Sequence, residues 1–178
     1  MSTSTLPRLR PVRVTLFVRV NPATDAVERL GDLAARARRL EDRDAVAEVE
    51  VRTWTTVRPA LEALSDSESS VSATVEAFQA WADHAGYSLA PAFARCETRS
   101  LLSPGSSTEL RVPVASLAVY EDGELRWVAP CADDERSYSV EDCLTALEDG
   151  VIEPASEREP TLQYHETDVL AEPSDPPK

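Results

Sequence analysis

Apolar residues alternate with polar ones first at Val12 to Val20. Val12, Val14, Leu16, Val18 and Val20 share one parity, and Arg13, Thr15, Phe17 and Arg19 the other. Both parities are apolar around Leu16 to Val18, the pattern of an internal strand. Asn21-Pro22 then ends the strand and opens a helix, with Asn21 as N-cap and Pro22 at the first helical position. The period changes to that of a helix through Leu40: Ala23, Ala26, Val27, Leu30, Leu33, Ala34, Ala37 and Leu40 form one stripe. Alternation returns at Ala45 to Trp54 as a second strand, and a βαβ unit of this length predicts parallel strands with a right-handed crossover.

The next residues, 58–71, read as a loop with a helical turn near Ala60 to Leu64, because Pro59 and a Ser/Asp/Glu run interrupt any period. A second helix is predicted over Ser72 to Ala85. Val71, Val75, Phe78, Ala82 and Ala85 lie on one face, and Gly86 is its stop. Residues 88–108 read as an insertion, and Phe93 to Leu101 is expected to pair with Thr108 to Val112 as a hairpin across the Ser103 to Ser107 turn. Pro91 marks an edge there. Val114 to Tyr120 and Glu124 to Ala129 are two strands joined at Asp122-Gly123, a strong two-residue hairpin signal. Ser139 caps a last helix to Leu147, with Asp142 completing a weak capping box and Val140, Cys143, Leu144 and Leu147 facing inward.

The expected organisation is therefore a single α/β domain over residues 11–149, a loose segment at 1–10 and a disordered, acidic, Pro-rich tail at 150–178. A chain of 178 residues can bury one sizeable core. No apolar run approaches the roughly 20 residues of a membrane span, and Met1 to Leu9 has no apolar signal-like core, so the expectation is a cytoplasmic protein without membrane contact.

Charge changes the picture of partners. Lys and Arg number 18 against 32 Asp and Glu, a formal net charge of −14. Lys178, Ile152 and Asn21 are the sole residues of their types. A GC-rich coding sequence accounts for that scarcity. Adaptation to a salt-rich interior accounts for it together with the acid excess, since molar salt screens self-repulsion. The acid excess opposes non-specific nucleic-acid binding, which depends on neutralising phosphates. The basic cluster, Arg36, Arg38, Arg39 and Arg43, suits the negative end of the first helix and is the candidate contact for an acidic or phosphate-bearing partner.

Chemistry-bearing residues are sparse. Cys96, Cys131 and Cys143 fit no zinc spacing, and His84 and His165 complete no metal site with them. Cys131, in Ala129-Pro130-Cys131-Ala132-Asp133-Asp134, is the candidate reactive thiol, although nearby acids should raise its pKa. No Ser-His-Asp order or glycine-rich phosphate loop is present. The expectation is a non-enzymatic protein without cofactor or metal. For a helix-turn-helix, the best segment is Tyr138 to Leu147, but Glu141, Asp142 and Glu148 would repel phosphates and it lacks residues that read base edges.

The order βαβ, helix, β-hairpin, helix over Val12 to Glu148 resembles a thioredoxin-like three-layer βαβ-α-ββ-α sandwich. A ferredoxin-like α+β sheet is the alternative topology. Pro113 stands where the thioredoxin family has the proline before its third core strand, a proline that follows a cis bond. Asn21-Pro22-Ala23-Thr24 stands where that family has Cys-x-x-Cys, so the resemblance implies the fold without dithiol chemistry. The strand-Asn-Pro-helix opening, Phe78-x-x-Trp81-Ala-Asp, Val119-Tyr-Glu-Asp-Gly-Glu-Leu and Ala129-Pro-Cys131 also resemble a family of small acidic proteins from halophilic archaea, some carrying a helix-turn-helix label. Three functions follow as expectations. The first is a non-catalytic thioredoxin-like domain that binds a protein partner in a halophilic cytoplasm. The second is a transcription-associated DNA-binding regulator, and the third a redox sensor through Cys131.

Overall fold

Parallel and antiparallel pairing meet on one strand at the centre of the molecule. The computed structural model describes residues 11–65, 70–99, 101 and 104–154. The proposed loose N-terminus, most of the proposed tail and part of the 58–71 loop lie outside the described residues. Strand β1 (Val12–Arg19) pairs in parallel with β2 (Glu48–Trp54) on one side and antiparallel with β5 (Ala115–Glu121) on the other. Strand β6 (Glu124–Ala129) extends the sheet beyond β5, giving the order β2-β1-β5-β6. The protein is thus α/β.

Helix α1 (Thr24–Asp42) crosses between β1 and β2, and α4 (Val140–Glu148) packs beside it against β5. They cover the side of the sheet built by Val14, Leu16, Leu117, Val119, Trp127 and Ala129, all almost fully buried. The register sets Leu16 against Leu117 and Val14 against Val119, so the alternation in β1 becomes one aliphatic layer. The opposite side carries Phe17, Ala118 and Val128 and is covered by α3 (Val71–Ala85). Helices on both sides of the sheet exclude the one-sided cover of a ferredoxin-like sandwich.

Several local expectations need correction. Helix α1 begins at Thr24, with Ala23 at its N-cap and no side-chain cap. Asn21 takes a left-handed φ of 55° and turns the chain before Pro22. Asn tolerates that region better than other non-glycine residues, which explains its place there without a capping role. Strand β2 starts at Glu48, later than expected, since Asp44 also takes a left-handed φ of 57° and the preceding turn consumes Ala45 to Ala47. The helical turn after Pro59 is α2 (Pro59–Glu62). Pro91 lies in a turn after a cis bond, and the strand it was expected to edge, β3 (Ala94–Arg99), starts beyond it. The cis bonds among the described residues precede Pro91 and Pro130, so the bond before Pro113 is trans, unlike that of the thioredoxin family.

Other features hold as read. Strand β3 pairs with β4 (Ser106–Arg111) as the inserted hairpin. Asp122 and Gly123 have φ of 53° and 81°, the two left-handed positions of a tight hairpin turn. Gly86 ends α3 with φ 81°. Ser139 and Asp142 form a reciprocal capping box at α4. A second small hairpin, β7 (Cys131–Ala132) with β8 (Ser137–Tyr138), turns at Asp133, whose carboxylate accepts from the Glu135 and Arg136 N–H groups at 2.9 and 2.8 Å.

Candidate functional site

The end of the sheet where a redox pair would stand is closed by side chains without nucleophiles. Arg19 donates from Nη1 to the Val112 carbonyl at 3.4 Å, and its main-chain N–H donates to Val114 at 2.8 Å. Trp54 donates from Nε1 to the Pro113 carbonyl at 3.2 Å and stacks on Phe17 at 4.7 Å. Pro113 therefore has a structural part: its carbonyl is the acceptor that orients the buried indole. With Asn21, Pro22, Ala23 and Thr24 in the adjoining turn, no group there can attack a disulfide.

The basic cluster at the end of α1 is spent in part inside the molecule. Arg36 donates from Nε and Nη2 to the two carboxylate oxygens of Glu148 at 3.2 and 3.0 Å, and from Nη2 to the Thr145 hydroxyl at 3.0 Å. Those bonds, with Arg43 and Arg39 nearby, hold the Glu148 carboxyl below its ordinary range. Arg29 makes a parallel bridge to Glu141 at 2.6 Å and lowers that carboxyl as well. Arg38, Arg39 and Arg43 remain exposed. The structure therefore separates Arg36 from the other three proposed contact residues. It also explains two of the acids of α4: Glu141 and Glu148 are engaged in bridges to α1.

Cys131 is buried, and burial pushes its thiol up to about 12, with Trp127 opposing and Asp133 adding to the shift. Burial outweighs the neighbouring acids as the cause. Cys143 is fully buried in α4, and burial raises its thiol well above the ordinary value. Among the described residues no group of His, Cys, Asp and Glu is arranged to hold a metal ion. No helix among them is long and apolar enough to cross a membrane.

The remaining candidate is the continuous unit α2, α3, β3, β4. Glu62, at the end of α2, accepts from the main-chain N–H groups of Val71 and Ser72, while Ser70 caps Ala73 at 3.1 Å. One carboxylate thus ties the short helix to the first turn of the long one. The hairpin is fixed to the preceding segment by paired main-chain bonds between Val57 and Leu110, at 3.1 and 2.7 Å. Phe93, Trp54 and Phe78 pack edge to face at 5.7 and 6.0 Å and place the hairpin beside α3. Arg58 and Arg95 line a surface pocket with Leu61, Ser107 and Thr108. Arg99 is exposed further along β3, and Arg111 ends β4. Sequence reasoning passed over these arginines; the hairpin register, which sets Arg95 opposite Leu110 and Arg99 opposite Ser106, places those two on one face, while Arg111, opposite Ala94, lies on the other, and Arg95 bridges Glu76 at 3.6 Å.

This α/β domain, with two successive helices followed by a hairpin, belongs by sequence to a known class. Residues 7–151 match the family described as a helix-turn-helix domain, and the chain belongs to that family. No curated protein and no solved structure matches it. Within the matched residues, α2 and α3 are the helices that follow one another with no strand between them among the described residues. The segment expected to serve, Tyr138 to Leu147, is preceded by β8 rather than by a helix.

Proposed function

We propose that the protein is a transcription-associated DNA-binding regulator without enzymatic activity, and that its contact element is α2, α3 and the β3–β4 hairpin. Membership of a helix-turn-helix domain family over residues 7–151 carries this reading. Arg58, Arg95 and Arg99 supply the phosphate contacts, Arg95 by exchanging its exposed bridge to Glu76, and Gln79, exposed on α3 and donating to Asp83 at 2.9 Å, supplies an amide suited to an adenine edge once it leaves that bond. Glu76 and Asp83 on the same helix oppose phosphates in dilute buffer. Molar salt shortens the screening length to about 3 Å and removes most of that repulsion. The reading therefore goes with a salt-rich, haloarchaeal cytoplasm, which the net charge of −14 also favours. Fluorescence anisotropy with duplex DNA from the protein's own upstream region, titrated from dilute to molar KCl, is the test. Binding that survives molar KCl and is lost in the Arg95→Ala/Arg99→Ala variant is expected; no binding at any salt overturns the proposal.

A second reading is a non-catalytic thioredoxin-like domain that binds a protein partner. The strand order, the placement of α1 and α4 against α3, and Asn21 to Thr24 in place of a cysteine pair favour it. Dithiol turnover in an insulin-reduction assay would remove it. A Cys131 sensor has the least support, because a thiol pushed to about 12 holds almost no thiolate at neutral pH. Mass spectrometry after mild peroxide should find Cys131 unmodified.

A further inference from the structure

The two edges of the central sheet differ in how they are closed. At β6, the Arg126 carbonyl accepts from the Trp81 indole at 3.1 Å, and Ala132 just beyond exchanges two main-chain bonds with Ser88 at 2.7 and 2.9 Å. At β2, no other strand among the described residues pairs with the outer side. The Trp54 carbonyl accepts from Val20, on the β1 side. By the parity of the ladder, the main-chain groups of Val49, Val51 and Thr53 then face outward. The side chain of Glu41 covers the first of these, accepting from the Val49 N–H at 3.2 Å. Val51 and Thr53 are left as an open edge.

An open edge is a template for another strand, and charges along it ordinarily repel a second copy. Here they do the reverse. Strand β2 reads Glu-Val-Glu-Val-Arg-Thr-Trp, with Val51 at its centre. A two-fold axis through Val51 sets Val51 opposite itself as a hydrogen-bonded pair, Val49 opposite Thr53, and Glu50 opposite Arg52 twice, in the closer non-hydrogen-bonded positions. Moving the axis to residue 50 sets Glu50 against Glu50, although with Glu48 opposite Arg52, and moving it to residue 52 sets Arg52 against Arg52; of the three, the Val51 register alone pairs opposite charges with no like-charge pair. Glu50 and Arg52 already lie side by side on one face, joined at 2.7 Å, and both are substantially exposed. Val51, at the centre of this edge, is 38% exposed.

We infer that β2 is a self-association edge: two copies of this chain pair antiparallel through β2, centred on Val51, to form one continuous sheet of eight strands from the two four-stranded sheets. The contact is isologous and closes on itself, so it yields a dimer and no fibre.

Sedimentation velocity on the full chain at about 0.15 M salt, where a screening length of about 8 Å damps the long-range effect of the net charge and leaves contact pairs in force, tests this. The wild-type chain is expected to dimerise. Glu50→Arg and Arg52→Glu each place like charges opposite one another and should weaken the dimer by roughly tenfold or more. An equimolar mixture of these two variants restores both opposite-charge pairs, as does the Glu50→Arg/Arg52→Glu double variant, and both should dimerise again. Val51→Pro removes the central outward N–H, leaves the β1 ladder intact and should give a monomer with unchanged circular dichroism. A wild-type chain that stays monomeric, a dimer indifferent to the single substitutions, or a mixture that fails to recover overturns the inference.

Discussion

One sheet has two differently built sides. The α1/α4 side is aliphatic at its centre, with Trp127 packed on Tyr138 at its β6 end, and closed at its outer rim by charge: Leu16, Leu117, Leu33, Leu40 and Leu144 fill it, and Arg29–Glu141 and Arg36–Glu148 bridge the two helices. The α3 side is aromatic: Phe17, Trp54, Phe78 and Phe93 form a chain of ring contacts between 4.7 and 6.0 Å. Aliphatic side chains seal two helices against a flat surface. Large rings reach further and fix the sheet, α3 and the hairpin relative to one another. The first side spends Arg29 and Arg36 on its own acids and leaves Arg38, Arg39 and Arg43 exposed. The second holds a hairpin whose Arg99 and Arg111 are exposed and whose Arg95 bridges Glu76 at 3.6 Å, and its attachment to two successive helices makes it the proposed contact element.

The comparison can be broken most strongly at its rings. Phe78→Ala should destabilise the fold by about 3–5 kcal/mol, because a fully buried ring leaves a cavity between sheet, helix and hairpin. Denaturant unfolding reads the loss, and the exposed β3–β4 arginines should become protease-sensitive at lower denaturant. Leu144→Ala on the other side should cost about 2–5 kcal/mol without that local protease signature.

Caps and titration sharpen the difference. Ser139→Ala removes the acceptor for the Asp142 N–H and half of the capping box, and should cost about 1 kcal/mol in the same unfolding assay. Glu141, Asp142 and Glu148 all have folded pKa values below their ordinary 4.5, 3.8 and 4.5. Arg29, the Ser139 main-chain N–H and Arg36 are the respective leading favourable partners. Carboxyls lowered by folding contribute stability that is complete above their unfolded values and lost as pH falls through the folded ones. Acidification through the lowered values of these carboxyls should therefore loosen the α4 end, and Glu141→Gln/Glu148→Gln should flatten that part of the stability–pH curve. Arg36→Ala alone should cost only about 0.5 kcal/mol at neutral pH, since its bridge is partly exposed and screened by salt. A loss of several kcal/mol there would show that the charged rim, rather than the aliphatic layer, secures α4.

Much of this was written locally in the chain. The alternation at Val12 to Val20, the stripe from Leu30 to Leu40 and the Asp122-Gly123 turn each depend on neighbours a few residues apart, and each appears where expected. Asn21-Pro22 shows the limit of local rules. The pair has the composition of a helix start, yet Asn21 takes a left-handed turn and the helix begins beyond it. The arginines expected as one patch are divided because Glu148, more than a hundred residues later, takes Arg36.

The sequence by itself determined the βαβ opening, the tight hairpin, the Ser139 cap and the lack of a Cys-x-x-Cys pair, since propensity, period and composition act over short spans. Only the tertiary structure decided which charges stay free, where Cys131 is buried, that Arg58, Arg95, Arg99 and Arg111 belong to one hairpin-bearing unit, and that β2 is the open edge. Those outcomes depend on which distant segments meet, and burial, pairing and register are properties of that meeting rather than of any residue alone.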